Sequence, residues 1–384
     1  MHDPFPISPP PLLVKATTPL AEYLNLSTLP IHIHELLLAA LSYHIICSYV
    51  SPFFSRRLFP SIYPSLPLRS RVNWDVHVVS LVQSVVVCAV AIWVMVADEE
   101  RKSMEMEERI WGYTGADGMI QAFAAGYFLW DLQICLRYLA IFGPGLLMHA
   151  VAALVVFLLG FRPFVNYYAP TFILYELSSP FLNFHWFFDK LQMTGSKPQW
   201  YNGIMLLGSF FSCRLLWGTY QSLRVYQDCW AALHFSDTYG SRVAAGLHVL
   251  KEVTHPQGIL ELMDPTRARA ELMKYNPNPE NMPLWLGLTY LGSNMMLNTL
   301  NFYWFGKMIE TVKKRFRTPK EEAKAKEDGE VVDAVVEGVE LDGRAVKLAA
   351  HGHVMREEGM DGEVKSEKAS GFEEADGATT RRKT

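Results

Sequence analysis

Apolar residues in this chain fall into long runs, not into the narrow stripes of a soluble helical fold. Three runs are nearly continuous, at residues 76–97, 146–161 and 284–309, and four more, at 34–54, 121–142, 164–191 and 201–226, are interrupted by polar positions. Crossing a bilayer as a helix takes about 20 predominantly apolar residues, and every backbone polar group in lipid must be satisfied within the crossing structure. The pattern therefore predicts an all-α, polytopic membrane bundle of about seven transmembrane helices. None of the runs alternates with a period of two, which argues against a membrane barrel.

Outside the runs the chain changes character. Residues 1–30 form a short Pro-rich segment without the basic start and small-residue cleavage site of a signal peptide, so the first apolar helix is expected to serve as the insertion signal. Residues 31–318 hold the bundle, with a loop insertion at 229–283. Residues 319–384 are rich in Glu, Lys, Asp and Gly, with Phe372 as the only aromatic. Such a tail cannot bury enough surface to offset chain entropy and is predicted to be disordered. Half of the whole chain is hydrophobic, and the formal net charge of -4 resides mostly in that tail, which gives no reason to expect a nucleic-acid partner.

Charge in the connections predicts orientation. Arg56, Arg57, Arg69 and Arg71 follow the first run, and Lys307, Lys313, Lys314, Arg315 and Arg317 close the last. Positively charged loops stay in the cytoplasm, so both clusters and the C-terminus are expected there, with the N-terminus, the acidic stretch 98–117 and the insertion on the opposite side. Within the insertion, residues 243–253 are mildly amphipathic and fit either an interfacial helix or a solvated one. The five cysteines lie in or beside apolar runs with no CxxC pair and no histidine at metal-ligand spacing, so neither a disulfide framework, a metal site nor a cofactor is expected.

Ionisable residues within apolar runs are costly, at roughly 2.5 to 3.5 kcal/mol at the bilayer centre on insertion scales, and they face the bundle interior. Asp131, His149, Glu176 and Arg214 are of this kind, and Asn183 follows Glu176 beyond Pro180. Two readings stand side by side. Asp131 and Arg214 could form a structural ion pair or interhelical hydrogen bond, or could hold a lipid head group together with the others. His149 could be an interior hydrogen-bond donor or a general base. Pro180 frees helix carbonyls that neighbouring hydroxyls must satisfy, which gives the Glu176 region an architectural reading too. Phosphate-cradling glycine loops, GxSxG, HExxH and nucleic-acid modules are missing from the sequence, and the enzyme classes that need them are set aside.

Taken in order, NWDVHVVS at 73–80, GYFLWD ending at Asp131, LLMH ending at His149, YELSSPFLN ending at Asn183, FFSCR ending at Arg214 and LNTLNFYWF at 297–305 resemble the TLC-domain family over about residues 55–318. That family joins translocating-chain-associated, longevity-assurance and ceroid-lipofuscinosis membrane proteins. The resemblance implies a helical membrane protein of the endoplasmic reticulum connected with lipid homeostasis. Ceramide synthases in the family carry adjacent histidines and an Asp-rich stretch. Here Met148 precedes His149 and YELSSPFLN replaces that stretch, which places the chain nearer the other members. The leading expectation is a protein that binds or senses a membrane lipid through Asp131, His149, Glu176, Asn183 and Arg214. An alternative is acyl-CoA-dependent N-acyl transfer with His149 as base and Asp131 or Glu176 orienting it, acyl-CoA being a substrate. A second is a trafficking or insertion factor whose tail meets a cytoplasmic partner. Homo-oligomerisation is left open.

Overall fold

The computed structural model of the chain describes residues 1–234, 265–276 and 282–315, together with a pair of two-residue strands. The expected amphipathic stretch at 243–253 and most of the tail lie outside the described residues. Fourteen helices are described. The chain divides into two compact units, residues 1–306 and 307–384. In the second, Lys307 pairs with Glu310 at 3.0 Å and strand Val335–Val336 pairs antiparallel with Val339–Glu340.

The first unit opens with a helix in the Pro-rich segment, α1 (Pro11–Leu24). Proline is welcome there because Pro11 occupies the first helical turn, where its missing N–H has no partner to lose. Next come α2 (Leu29–Ile45), a π segment (Ile46–Val50) and α3 (Ser51–Leu58), which run on as one rod from Leu29 to Leu58. A 30-residue helix, α4 (Leu68–Ala97), follows. Short α5 (Glu99–Ser103) and α6 (Met106–Trp111) lead to α7 (Gly115–Arg137), whose N-terminus is capped by the Thr114 hydroxyl. Helix α8 (Leu139–Leu159) starts earlier than the apolar run suggested, because the chain breaks at Tyr138 and kinks again at Gly143. Gly143 has φ +75° before Pro144, a backbone that glycine tolerates, and the proline ring disfavours a helical conformation at that residue.

Residues 164–191, expected as one span, are instead a chain of turns. A 3₁₀ turn (Asn166–Tyr168) leads to α9 (Ala169–Ile173), a second 3₁₀ turn (Leu174–Ser178) and α10 (Ser179–Lys190). Helix α11 (Lys197–Phe210), a π segment (Phe211–Trp217) and α12 (Gly218–Leu233) continue without a break. The described part closes with α13 (Pro265–Leu272) and α14 (Leu284–Arg315).

Among the described residues, four stretches are long and apolar enough to cross a membrane: Leu29–Leu58, Leu68–Ala97, Met106–Arg137 and Leu139–Leu159. The polarity of the first unit is inverted relative to a soluble protein. Val82, Val85, Val86, Ile92, Trp93 and Val96 are exposed along one side of α4, while Asp75, His77, Gln83 and Ser84 of the same helix are buried. A continuous apolar exterior with polar side chains inside is the arrangement that hydrocarbon solvent selects. The fold is an all-α membrane helical bundle.

Two cores hold it. Around α2 and α7, Ala116, Ala122, Ala124 and Ala125 are fully buried beside Leu36, Ile120 and Phe128. Around α6 and α12, Ile110, Phe164, Tyr168, Val225 and Tyr290 pack together. At the edge of the second core Arg109 makes a two-pronged bond to Asp228, with both distances 2.7 Å, and Tyr168 donates to the same carboxylate at 2.6 Å. Bidentate geometry of this kind ties α6 to α12.

Candidate functional site

The second 3₁₀ turn and the π segment face each other, and each carries one charged residue into the interior. Glu176 sits on the turn and Arg214 on the π segment, a widened helical turn of the kind that recurs at functional sites. Arg214 is 2% exposed. Its Nε donates to the Tyr175 carbonyl at 3.0 Å and to the Ser178 hydroxyl at 2.9 Å. Its Nη1 donates to Asn301 Oδ1 at 3.3 Å and its Nη2 to Ser179 Oγ at 3.2 Å, while the guanidinium lies 4.9 Å from the Phe210 ring centre. Glu176 is farther, with Oε1 3.9 Å from Nη2, and its other oxygen accepts from Ser179 Oγ at 2.8 Å. The guanidinium is thus satisfied chiefly by a carbonyl, hydroxyls and an amide, with the carboxylate as a looser counter-charge.

This pair borders a cavity that encloses about 770 Å³ of non-protein space, its open mouth included. Phe128, Phe157, Phe172 and Leu297 supply apolar wall, and His149 lines the cavity as well. The His149 ring sits edge-on to Phe128 and Trp304, with centroids 6.1 and 5.7 Å away. Kinked α8 therefore brings His149 to the same space that the irregular 164–191 segment brings Glu176.

Two other candidates stand elsewhere. The Asn183 amide oxygen accepts from His77 Nδ1 at 2.7 Å, and its Nδ2 donates to Ser80 Oγ at 3.1 Å. An amide oxygen can only accept, so His77 carries its proton on Nδ1 and donates. Asn183 thus joins α10 to α4 in a second polar knot. Asp131 is half-buried on α7, one turn before Cys135, whose Sγ is 3.9 Å from Oδ1, and it does not line the cavity. Arg214, Glu176 and His149 come together; Asp131 and Asn183 do not join them.

The cavity also uses residues that were not singled out above. Asn294 and Asn301 line it, and Asn298 between them accepts from the Tyr175 hydroxyl at 3.1 Å while its Nδ2 donates to Ser222 Oγ at 2.8 Å. Spacing of four and three places the three asparagines on one face of α14, and that periodicity is the signal that could have found them. Gln121 on α7 lines the cavity too and donates to the Phe157 carbonyl.

A family model for the TLC domain matches residues 73–310, more than half of the chain. This chain belongs to the TLC-domain family. The TLC domain contains all the cavity-lining residues, from Gln121 to Asn301, and begins after α1 to α3. A TLC domain-containing protein of Schizosaccharomyces pombe is 34% identical over 307 residues, covering 80% of this chain and 87% of the relative. Topoisomerase I damage affected protein 4 of Saccharomyces cerevisiae is 28% identical over 291 residues, 74% of this chain and 85% of its own length. TLC domain-containing protein 4 of Homo sapiens is 32% identical over 177 residues, covering 45% of this chain and 65% of its own. No solved structure matches the chain.

Proposed function

We propose that this TLC-domain protein binds or senses a membrane lipid inside its bundle and so serves lipid homeostasis. The observation that carries the reading is the cavity itself: apolar walls meet a single charged pair, Arg214 and Glu176, at its border. An acyl chain would lie against Phe128, Phe157, Phe172 and Leu297. A head group with an anionic and a cationic or donor end would meet the guanidinium and the carboxylate, with His149 as an adjustable third partner. Asp131 and Asn183, expected from the sequence to share in the binding, act in this reading by fixing α7 and α10. Residence in the endoplasmic reticulum, a cytoplasmic C-terminus and about seven spans complete the proposal, the orientation resting on the two basic clusters.

The test is extraction and mass spectrometry of lipid from purified protein. Wild type should carry a defined lipid through detergent exchange, and the Arg214→Gln, Glu176→Gln double variant should lose it while staying folded. Identical lipid content in both would contradict the proposal.

One observation favours acyl transfer as the second reading, namely that His149 lines the same cavity as the charged pair. Incubation with acyl-CoA and a sphingoid base separates the two. Lipid binding alone predicts no N-acyl product, whereas steady CoA release abolished by His149→Ala would promote the transferase.

A further inference from the structure

Away from the cavity, the segment before α1 crosses the ends of α2 and α7. The Gly115 N–H donates to the Met1 carbonyl at 3.1 Å, the Phe5 ring stands edge-on to His34 and Phe123, and the His34 Nε2 to Ile7 carbonyl distance is 2.7 Å. Two glycines of α7 make room: a Cβ at Gly115 would strike the Asp3 backbone, and one at Gly118 would strike the His32 ring. This seat brings together Asp3, His32 and Glu35, whose ligand atoms lie within 4.8 Å of one another. His32 Nδ1 is 2.9 Å from Glu35 Oε2 and 3.6 Å from Asp3 Oδ2. His32 and Glu35 are fully buried, whereas the Asp3 side chain is 32% exposed and gives the group an open side.

We infer that Asp3, His32 and Glu35 form a binding site for a divalent transition-metal ion, with Zn²⁺ the ion that fits best. Three observations support it. Zinc bonds of about 2.0 to 2.2 Å in tetrahedral geometry put neighbouring ligand atoms about 3.3 to 3.5 Å apart, within the spread of the two distances from Nδ1. Tyr113 Oη lies 2.5 Å from Nε2, the other ring nitrogen. A metal on Nδ1 requires the proton on Nε2, which then donates to the tyrosine oxygen, and outer partners of this kind orient metal-bound histidines. Finally, Glu35 Oε1 is buried without a hydrogen bond, although His34 Nε2 stands 3.7 Å away. A cation between a buried carboxylate and a half-exposed one would compensate both, and one imidazole with two carboxylates matches borderline cations better than Mg²⁺ or Ca²⁺. The fourth position falls to water on the Asp3 side. Asp3 stands in the segment before α1 whereas His32 and Glu35 lie one turn apart on α2, so the pattern of cysteines and histidines along the chain gives no sign of them.

The experiment uses full-length protein, purified without a polyhistidine tag, stripped with a chelator and equilibrated against buffered free Zn²⁺. Wild type should bind about one Zn²⁺ per chain and melt at a higher temperature with it, because a ligand of the folded state stabilises that state. Asp3→Asn should weaken binding at least tenfold and abolish the rise in Tm, and Tyr113→Phe should weaken it by about 10- to 100-fold while leaving the stoichiometry unchanged at saturation. Asp3→Asn decides the matter, since its partly exposed side chain can change without disturbing the core. Wild-type Zn²⁺ content in Asp3→Asn, an absence of bound Zn²⁺ in wild type, or displacement of Zn²⁺ by an equal concentration of Mg²⁺ would each overturn the assignment.

Discussion

Where α7 meets α2, Gly118 lies against His32 and Gly126 against Leu36 and Ala39, fully buried alanines follow along α7, and the helix is regular throughout. Where the 174–178 turn meets the 211–217 π segment, the contact is made by Arg214, Ser178, Ser179 and Glu176, and neither backbone is α-helical. The first region is held by close approach of small residues, which in lipid replaces the hydrophobic drive that water would supply. In the second, irregular turns release carbonyls, and Arg214 binds one of them, that of Tyr175. Close packing leaves no room for a lipid, whereas the irregular region borders the cavity. Binding capacity and helical irregularity therefore go together in this bundle.

The largest effect is expected where the irregular region loses its cation. Arg214→Leu removes the counter-charge near Glu176 and the donors to Tyr175, Ser178, Ser179 and Asn301, and should destabilise the protein by about 3–5 kcal/mol, the usual cost of leaving one member of a buried pair. Thermal unfolding in detergent reads it, and Glu176→Gln in the same chain should recover part of the loss. Equal stability of Arg214→Leu and wild type would show the region to be held by something else.

The regular region should break through volume instead. A Cβ at Gly126 would lie 2.5 Å from the Leu36 carbonyl oxygen, so Gly126→Val must push α2 away from α7. Overpacking of this sort costs about 1–3 kcal/mol. The unfolding midpoint should fall, yet bound lipid should survive in the molecules that remain folded. Loss of lipid without loss of stability would contradict the separation of the two regions.

Smaller effects sharpen the contrast. Asn298→Ala deletes one rung of the asparagine face, and interhelical hydrogen bonds in membranes average about 0.6 kcal/mol, so a modest drop in the same melt is expected. In the loop between α3 and α4, burial and the neighbouring Asp75 carboxylate raise the Tyr63 phenol above its ordinary value, the hydroxyl donating to Asp75 Oδ2 at 2.9 Å. A raised acid favours its neutral form in the folded state. Its contribution is therefore present below the unfolded phenol value, about 10, and is lost as pH rises through the folded one. Stability of wild type should decline in strongly alkaline buffer more steeply than that of Tyr63→Phe, as a melt across pH would record; parallel profiles would refute the link.

Much of this contrast can be read in the chain. Glu176, Arg214 and His149 stand out because an ionisable group inside an apolar run demands an interior place, and all three border the cavity. Asp131 stands out equally, but hydropathy gives depth and not azimuth, so the pattern could not tell that it lies off the cavity. The asparagines of α14 are too mildly polar to interrupt a run, and only their helical spacing marks them. Helix existence was legible at residues 76–97 because that run is long and unbroken. The break at Tyr138 was not, since apolar residues continue across it and nothing in composition distinguishes a bend from a straight helix. A helix at Pro11–Leu24 was hidden by prolines that read as a loop although the first sits where a helix accepts it. Asp3, His32 and Glu35 meet only because two glycines of α7 admit the segment before α1 and the His32 ring, a coincidence of the tertiary fold.

The most direct measurement is crosslinking with a phospholipid that carries a photoreactive diazirine in its acyl chain, followed by peptide mapping. A lipid held within the bundle should label Phe157, Phe172 or Leu297, all of which line the cavity, and that labelling should disappear in the Arg214→Gln, Glu176→Gln variant. Labelling confined to outward-facing residues such as Val85 and Leu288, unchanged by the variant, would mean that lipid only surrounds the protein and would contradict the account.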